Sequence, residues 1–311
     1  MIISGSYTIR NYAPDDFDRY FQLQVESEKL DPSGRLISAK SLSDYLTRPN
    51  FTPQKDLIVA ESNEILVGCL GVSLEIGIGR ALLDAVVHPL HRRKGIATEL
   101  FSYGLHRVKE SGDISAQVSI LETNAAAKGF LKRLGFKFIR YFLQMRLDIK
   151  NMRLPTIEDG TTTSRKLRKG ETTLLAELQN RCFAGTWGFN SNTVEEIAHR
   201  LNMHGRSPED VILTCLGDRP VGYCWTIIDA ESNAEKEKSS GLIHMLGVDP
   251  VYRQQEIGRN ILLNGLQDLK TRGVDIVELT VDSENLPACS LYESAGFEVY
   301  ARMEWYERRI K

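Results

Sequence analysis

The feature that most constrains this chain is an internal repeat. The segment AVVHPLHRRKGIATELFSYGLHRVKESGD, residues 85–113, is answered by LGVDPVYRQQEIGRNILLNGLQDLKTRGVD, residues 246–275. Pro89 pairs with Pro250, Arg92 with Arg253, Gly112 with Gly273 and Asn124 with Asn285. Ala127 pairs with Ala288, Gly135 with Gly296 and Phe136 with Phe297, every pair at an offset of 161 residues. A shared helical period can align a short stretch by chance, but not Pro, Gly and Asn all in step. The chain therefore reads as one domain made twice: residues 1–150, a polar linker at 151–164, and residues 165–311.

Each copy carries the same pattern. A helical region comes first, roughly Pro14 to Leu46 and Gly170 to Leu201. Two strand-like runs follow, LIVAESNEILVGCLGV and VILTCLGDRPVGYCWTII, joined by polar turns at Ser62-Asn63 and Gly217-Asp218. A third strand (Leu82–Val87; Leu242–Val248) leads into a loop. A helix comes next (Ala97–Lys109; Gly258–Thr271) and stops at Gly112 or Gly273. A fourth strand, a short helix and a last hairpin close each copy. Strands alternating with helices give an α/β class with some parallel pairing. The charged stretch Asp229–Ser240 reads as a solvated hairpin loop.

Composition narrows the function. Lys and Arg number 39 against 41 Asp and Glu, a net charge of −2, which leans against a partner held by phosphate neutralisation; no nucleic-acid partner is expected. Five cysteines form no CxxC pair and no metal-ligand spacing, so no metal site is expected and the thiols read as reduced and buried. The start lacks the charged and apolar regions of a signal peptide, and runs such as ILVGCLGV fall short of the ~18 residues a membrane span needs. A cytoplasmic protein without a membrane partner is expected. Oligomeric state is not legible.

Strand, basic glycine-containing loop, then helix is a construction that holds phosphate. Successive backbone N–H groups form a nest, and the helix N-terminus adds partial positive charge. Arg92-Arg93-Lys94-Gly95-Ile96-Ala97 fits this description. No GKS or GKT follows it, and GxGxxG is absent, so it is neither a P-loop nor a dinucleotide fingerprint.

Arg92-x-x-Gly95-x-Ala97 after a VVHP strand end resembles the R/Q-x-x-G-x-G/A loop of the GCN5-related N-acetyltransferase superfamily. Asn285-Leu286-Pro287-Ala288, followed by Leu291-Tyr292-Glu293-Ser294-Ala295-Gly296-Phe297, resembles that superfamily's later segment. The tandem layout and the strand end Gly247–Pro250 are most similar to mycothiol synthase and its tandem relatives. The resemblance implies two tandem domains, each a mixed, mostly antiparallel sheet with a splayed central strand pair and flanking helices. It also implies acetyl-CoA as donor, its pyrophosphate on the loop and its pantetheine beside the strand ending at Val87 or Val248. The cofactor residues it implies are Leu246, Gly247, Val248, Arg253, Gln254, Gln255, Glu256, Ile257, Gly258, Arg259 and Asn285. In the first copy they are Val87, Arg92, Arg93, Lys94, Gly95, Ile96 and Ala97.

Neither copy matches the family pattern completely. The second has Glu256 where the first loop glycine belongs; the first has Leu131 where the second has Tyr292. Residues at that position act in the family as general acid toward the departing thiolate, and a phenol can do so whereas leucine cannot. The glutamate base that mycothiol synthase-like members carry falls on Leu242 here. His244, two residues on and on the same strand face, is the candidate base or substrate contact. Asp84 and Glu278 are weaker candidates. Trp187 and Phe189, after the second copy's first helix, are expected to line an acceptor pocket. The reading is acetyl transfer to a primary amine of a small molecule, with the second copy as catalyst. The rivals are a CoA-sensing or interaction protein with two degenerate sites, and a peptide or protein N-acetyltransferase.

Overall fold

The computed structural model describes residues 2–4, 7–32, 37–112, 114–155, 162–228, 233, 239–253 and 256–310. The first copy runs β1 (Ile2–Ser4), β2 (Tyr7–Asn11), α1 (Phe17–Leu30), α2 (Ala39–Leu46), α3 (Pro53–Asp56), β3 (Leu57–Ser62), β4 (Ile65–Glu75), β5 (Arg80–Val87), α4 (Ile96–Lys109), β6 (Ile114–Leu121), α5 (Ala125–Arg133) and β7 (Lys137–Asp148). The second runs β8 (Thr162–Lys166), α6 (Thr172–Phe183), α7 (Val194–Asn202), β9 (Val211–Leu216), β10 (Arg219–Ile228), β11 (Ser240–Val248), α8 (Ile257–Thr271), β12 (Ile276–Asp282), α9 (Leu286–Ser294) and β13 (Glu298–Ile310).

The chain forms two compact units, and their limits are not those of the sequence repeat. The first comprises residues 1–120, 124–139 and 305–311; the second comprises 121–123 and 140–304. Each unit thus takes its last strand from the other copy. In the second unit β12 pairs antiparallel with β7, from Ile276 opposite Asp148 to Asp282 opposite Phe142. Alternation explains why this segment fits. Met145 and Leu147 are buried in the second unit's core, whereas Arg146 and Asp148 between and beyond them are exposed.

The second sheet is ordered β8-β9-β10-β11-β12, then the β7 segment, and all its pairs are antiparallel except β11 with β12. The first is ordered β1-β2-β3-β4-β5-β6, then the end of β13, and only β5 with β6 is parallel among the pairs from β1 to β6. Helices cover both faces of each. On one face of the second sheet α8 buries Ile257, Ile261, Leu262, Leu266 and Leu269, a stripe at helical spacing. On the other, α6 and α7 bury Leu175, Leu178, Ile197 and Leu201 against Tyr223 and Trp225.

The repeat reaches further than the 161-residue offset. Arg10 forks onto Asp16 at 2.6 and 2.8 Å, and Arg165 onto Glu171 at 2.7 and 2.8 Å. These pairs stand 155 residues apart, as do the identical buried residues Gln24 and Gln179, and Leu46 and Leu201. The offset lengthens between β10 and β11, within the stretch 229–240, most of which lies outside the described residues.

Candidate active site

The site begins as a gap between strands. In the second unit β11 and β12 pair only at Ser240–Ile276, Gly241–Val277 and Leu242–Glu278. Both strands continue beyond that point, β11 to Val248 and β12 to Asp282. Each is held by its outer neighbour, β11 by β10 up to Val248 and β12 by β7 up to Asp282. They therefore diverge, leaving backbone donors and acceptors of Ile243–Val248 without ladder partners on the inner edge. Buried peptide groups demand partners, so the gap suits an extended, hydrogen-bonding ligand. The first unit repeats this: β5 and β6 pair only from Arg80–Ser115 to Leu82–Gln117.

A β-bulge sits beside the gap. Thr226 faces Ile243 and Trp225 faces Met245, so His244 is the extra residue. Ile243 belongs to the α8 core and Met245 packs on the α6/α7 core. The His244 ring meets Trp225 edge-on at 5.5 Å between centroids. His244 is exposed at its position on β11. Protein packed around the ring, with the charges of Arg200 and Arg206, lowers its pKa to about 4. The imidazole is neutral at pH 7 and can accept a hydrogen bond or proton.

At the end of β11 the chain is clamped. Asp249 accepts from the Val251 N–H at 3.3 Å and from Arg181 at 3.0 Å. Arg253 donates through Nε to the Val248 carbonyl at 3.3 Å and through its other end to the Cys182 carbonyl at 2.6 Å. Arg92 likewise donates to the Val87 carbonyl at 3.2 Å, and it pairs with Asp31 at 2.6 Å. Both loop arginines thus shape the loop through their side chains. Gly247 is where α6 comes closest: a Cβ there would lie 2.8 Å from that of Cys182 and 3.0 Å from the Phe183 ring.

Loop backbones then turn into their helices through a left-handed residue. Gly95 has φ +86° and Glu256 has φ +59°, each at the N-cap of its helix. Glu256 is exposed, as are Arg259 and, in the first unit, Arg93 and Lys94. Ile96 and Ile257 bury their side chains in the cores, which leaves their backbone N–H groups for an anion. Gly258 and Ala97 follow on the first helical turns, and Leu246 packs against the α8 core. Gln254 and Gln255 lie outside the described residues.

Tyr292 is buried against Phe297 at 5.9 Å between rings and beside Cys289. Burial raises its pKa well above 10, so its hydroxyl keeps its proton. Leu131, its counterpart in the first unit, is 1% exposed and wholly core. Asn285 is exposed and caps α9, accepting from the Ala288 N–H at 3.4 Å. Glu278 is held by Arg146 at 2.6 Å, which occupies it in an ion pair. All five cysteines are free and buried.

Trp187 and Phe189 are half-buried in the loop after α6. Phe189 stacks on Phe183 at 5.3 Å, and Asn180 fastens the loop through both backbone groups of Asn192, at 2.8 and 2.9 Å. Arg140 lies over the Trp187 ring at 4.2 Å and pairs with Asp282 and Glu284. Sequence reasoning missed Arg140, which belongs to the first copy and reaches this loop only because β7 completes the second sheet. The bulge signal at His244 was equally invisible.

These features, two splayed sheets each with a nest-like loop at a helix N-terminus, meet their counterpart in known proteins. The profile of the Acetyltransferase (GNAT) family matches residues 17–136 and 172–297. The chain belongs to that family. A mycothiol acetyltransferase of Thermomonospora curvata is 31% identical over 231 residues, 70% of either chain. One from Nocardia farcinica is 28% identical over 292 residues, covering 88% of this chain and 92% of the relative. A tandem GNAT protein from the clavulanic acid biosynthesis pathway superposes with a TM-score of 0.74 at 17% identity, over 98% of this chain and 99% of that one. The chain is a tandem GNAT acetyltransferase with a mycothiol synthase-like layout. No helix among the described residues is long and apolar enough to cross a membrane.

Proposed function

We propose that the second unit transfers an acetyl group from acetyl-CoA to a primary amine of a small molecule by direct attack. The observation that carries this reading is the splay of β11 from β12, with a protonated Tyr292 on α9, the helix that follows β12. Acetyl-CoA supplies an activated acyl group. Backbone N–H groups of Leu246–Val248 hold and polarise its carbonyl, and the N–H groups at Ile257 and Gly258 hold its pyrophosphate, Gln254 and Gln255 completing the loop. Glu256, being exposed, leaves that backbone free.

Proton movement falls to two side chains. Tyr292 protonates the departing thiolate, and neutral His244, directly or through a water, accepts the proton that the attacking amine gives up. Trp187 and Phe189 line the acceptor side. The first unit, lacking the phenol, shapes or supports the fold and binds CoA through Gly95, Ile96 and Ala97 without turnover. The mycothiol acetyltransferase relatives support a small-molecule acceptor over a peptide.

Tyr292→Phe is the test. It is expected to lower kcat by roughly a hundredfold or more across amine acceptors, with acetyl-CoA affinity kept. Unchanged turnover would remove Tyr292 from the chemistry. Absence of acetyl-CoA binding by calorimetry in the intact chain would remove the enzymatic reading altogether.

A further inference from the structure

One corner of the first unit has no part in acetyl transfer. An open cavity of about 270 Å³ lies between α4 and the end of β13. From α4 it is lined by Ser102, Leu105, His106 and Lys109, which stand at helical spacing on one face. From β13 come Arg308, Arg309 and Ile310. Lys109 and the two arginines carry permanent positive charge, and no carboxylate lines the cavity. The acids adjacent in sequence are engaged elsewhere. Glu110 faces His106 and Arg107, each at 3.7 Å, and Glu307 accepts from Gln117 at 3.1 Å. Among the described residues, the Lys109 and Arg309 side chains have neither an ion-pair nor a hydrogen-bond partner. Arg308 is fixed in place, its Nη1 donating to the Leu134 carbonyl at 2.8 Å.

The second unit shows the same corner closed. At the offset of 161 residues, Ser102 and Leu105 become Leu263 and Leu266, both buried. Arg308 and Arg309 become Leu147 and Asp148. Lys109 becomes Lys270, whose ammonium donates to the carbonyls of Ile149 at 2.7 Å and Met152 at 2.5 Å. Met152 and Leu154 pack against the α8 core, so the chain that follows β7 covers this end of the helix. A lysine engaged by carbonyls in one unit is thus unengaged in the other, and an apolar and an acidic position have become two arginines. Cations in the last turn of a helix answer its dipole, which accounts for His106 and Lys109. It does not account for Arg308 and Arg309, which come from a strand about two hundred residues further along the chain. Like charges gathered on one cavity repel each other, and an anion between them removes that cost.

We propose that this cavity binds a small phosphorylated molecule, its phosphate held by Lys109, Arg308 and Arg309. Charge favours phosphate over carboxylate. A phosphate monoester brings roughly two negative charges to three cations at neutral pH, whereas a carboxylate brings one. Guanidinium forks also match phosphate oxygens in pairs. Ser102 adds a hydroxyl, and Leu105 and Ile310 form an apolar wall for the rest of a small ligand. The site is separate from the loop proposed to hold pyrophosphate. That loop meets α4 at Ile96, and the cavity begins at Ser102, six residues or about 9 Å of helix further on. The proposal does not depend on the acetyl-transfer reading.

The test is calorimetric titration of the full chain with glycerol phosphate, inorganic phosphate and acetate, with CoA in excess so that the loops are not what is read. Saturable binding is expected for both phosphates, with acetate weaker by about tenfold or more. Glycerol phosphate is expected to bind at least as tightly as inorganic phosphate; a preference for the free ion overturns the assignment to an ester. Lys109→Gln combined with Arg309→Gln removes two side chains that hold nothing else in place. It is expected to weaken glycerol phosphate by about tenfold or more and to leave CoA affinity unchanged. Without ligand, the same double variant should raise the urea midpoint at low salt by relieving repulsion, whereas cations that brace the fold would lower it when removed. No saturation by either phosphate, saturation indifferent to the double variant, acetate as tight as phosphate, or a lowered midpoint overturns the proposal. So does an oligonucleotide that binds more tightly than glycerol phosphate and is lost in the same variant, since that marks a polyanion surface. Should CoA not bind, the acetyl-transfer reading falls alone, because the double variant still locates the phosphate site.

Discussion

The two units differ in two ways, and the ways teach different things. At the corner after the third strand of the repeat, the first unit has His88 reaching Glu26 at 3.4 Å, and the second has Asp249 reaching Arg181 at 3.0 Å. The donor and acceptor sides of the contact have changed places, yet each corner residue still accepts from the backbone two residues on, at 3.3 Å. Here both members of a contact changed and the geometry survived. Elsewhere a single member changed and nothing compensates: Leu131 against Tyr292, and Gly95 against Glu256. Paired exchange marks scaffold, whereas unpaired exchange marks a position where chemistry or its loss decides the residue.

The largest effect expected from breaking that contrast is at Arg140. Its pair with Asp282 is nearly buried, the side chains being 13% and 10% exposed, and the same guanidinium packs on Trp187. Arg140→Ala leaves a carboxylate with little water and no cation, which costs about 3 kcal/mol of stability by the usual behaviour of broken buried pairs. Arg140→Ala combined with Asp282→Ala is expected to recover most of it. Urea unfolding of the two variants checks this; a single mutant as stable as wild type would show that β7 does not anchor the Trp187 loop.

A pH experiment sharpens the role of the bulge. The His244 pKa of about 4 lies below the ordinary 6.5, so between those values the unfolded chain binds a proton that the folded one refuses. Stability therefore rises with pH through that window and is unaffected by this group above it. His244→Gln is expected to flatten the slope of the urea midpoint between pH 4.5 and 6.5, to within about a unit of either limit. If His244 is also the base, the acid limb of kcat/KM lies well below 6.5 in the wild type, and Gln costs roughly tenfold to a hundredfold in kcat. A limb near 6.5 that survives the substitution assigns the base elsewhere.

How much of this was legible in the sequence follows from range. The repeat, the loop, the helix starts and Tyr292 are local or periodic features, and they stand where the residues indicated. Arg253 was legible as a loop residue, but its turn toward the Val248 and Cys182 carbonyls depends on α6, more than seventy residues upstream. The origin of each unit's last strand could not be read, because β7 and β13 share the same alternation and either would satisfy either sheet by pattern alone. Arg140 went unseen for that reason. The bulge at His244 is set by the registers of two strands at once, so no window along one strand contains it.

The smallest expected effect is the most direct comparison of the two loops. Gly95 and Glu256 share the left-handed conformation, with φ +86° and +59°. A residue with a Cβ is strained there by about 1 kcal/mol or slightly more, partly offset because glycine gives up more freedom on folding. Glu256→Gly is therefore expected to stabilise the chain by about 0.5 kcal/mol, seen as a small rise in urea midpoint at unchanged slope. It also removes a carboxylate from the mouth of a loop proposed to hold a pyrophosphate, so CoA should bind a few-fold tighter at low salt, with the gain shrinking as ionic strength rises. Glu256→Gln separates the two contributions: it keeps the strained Cβ and loses only the charge. Tighter binding in Gly and Gln alike assigns the effect to charge, and tighter binding in Gly alone assigns it to backbone approach. If neither variant changes CoA affinity, the second loop does not hold the pyrophosphate and the contrast with Gly95 lies in stability only.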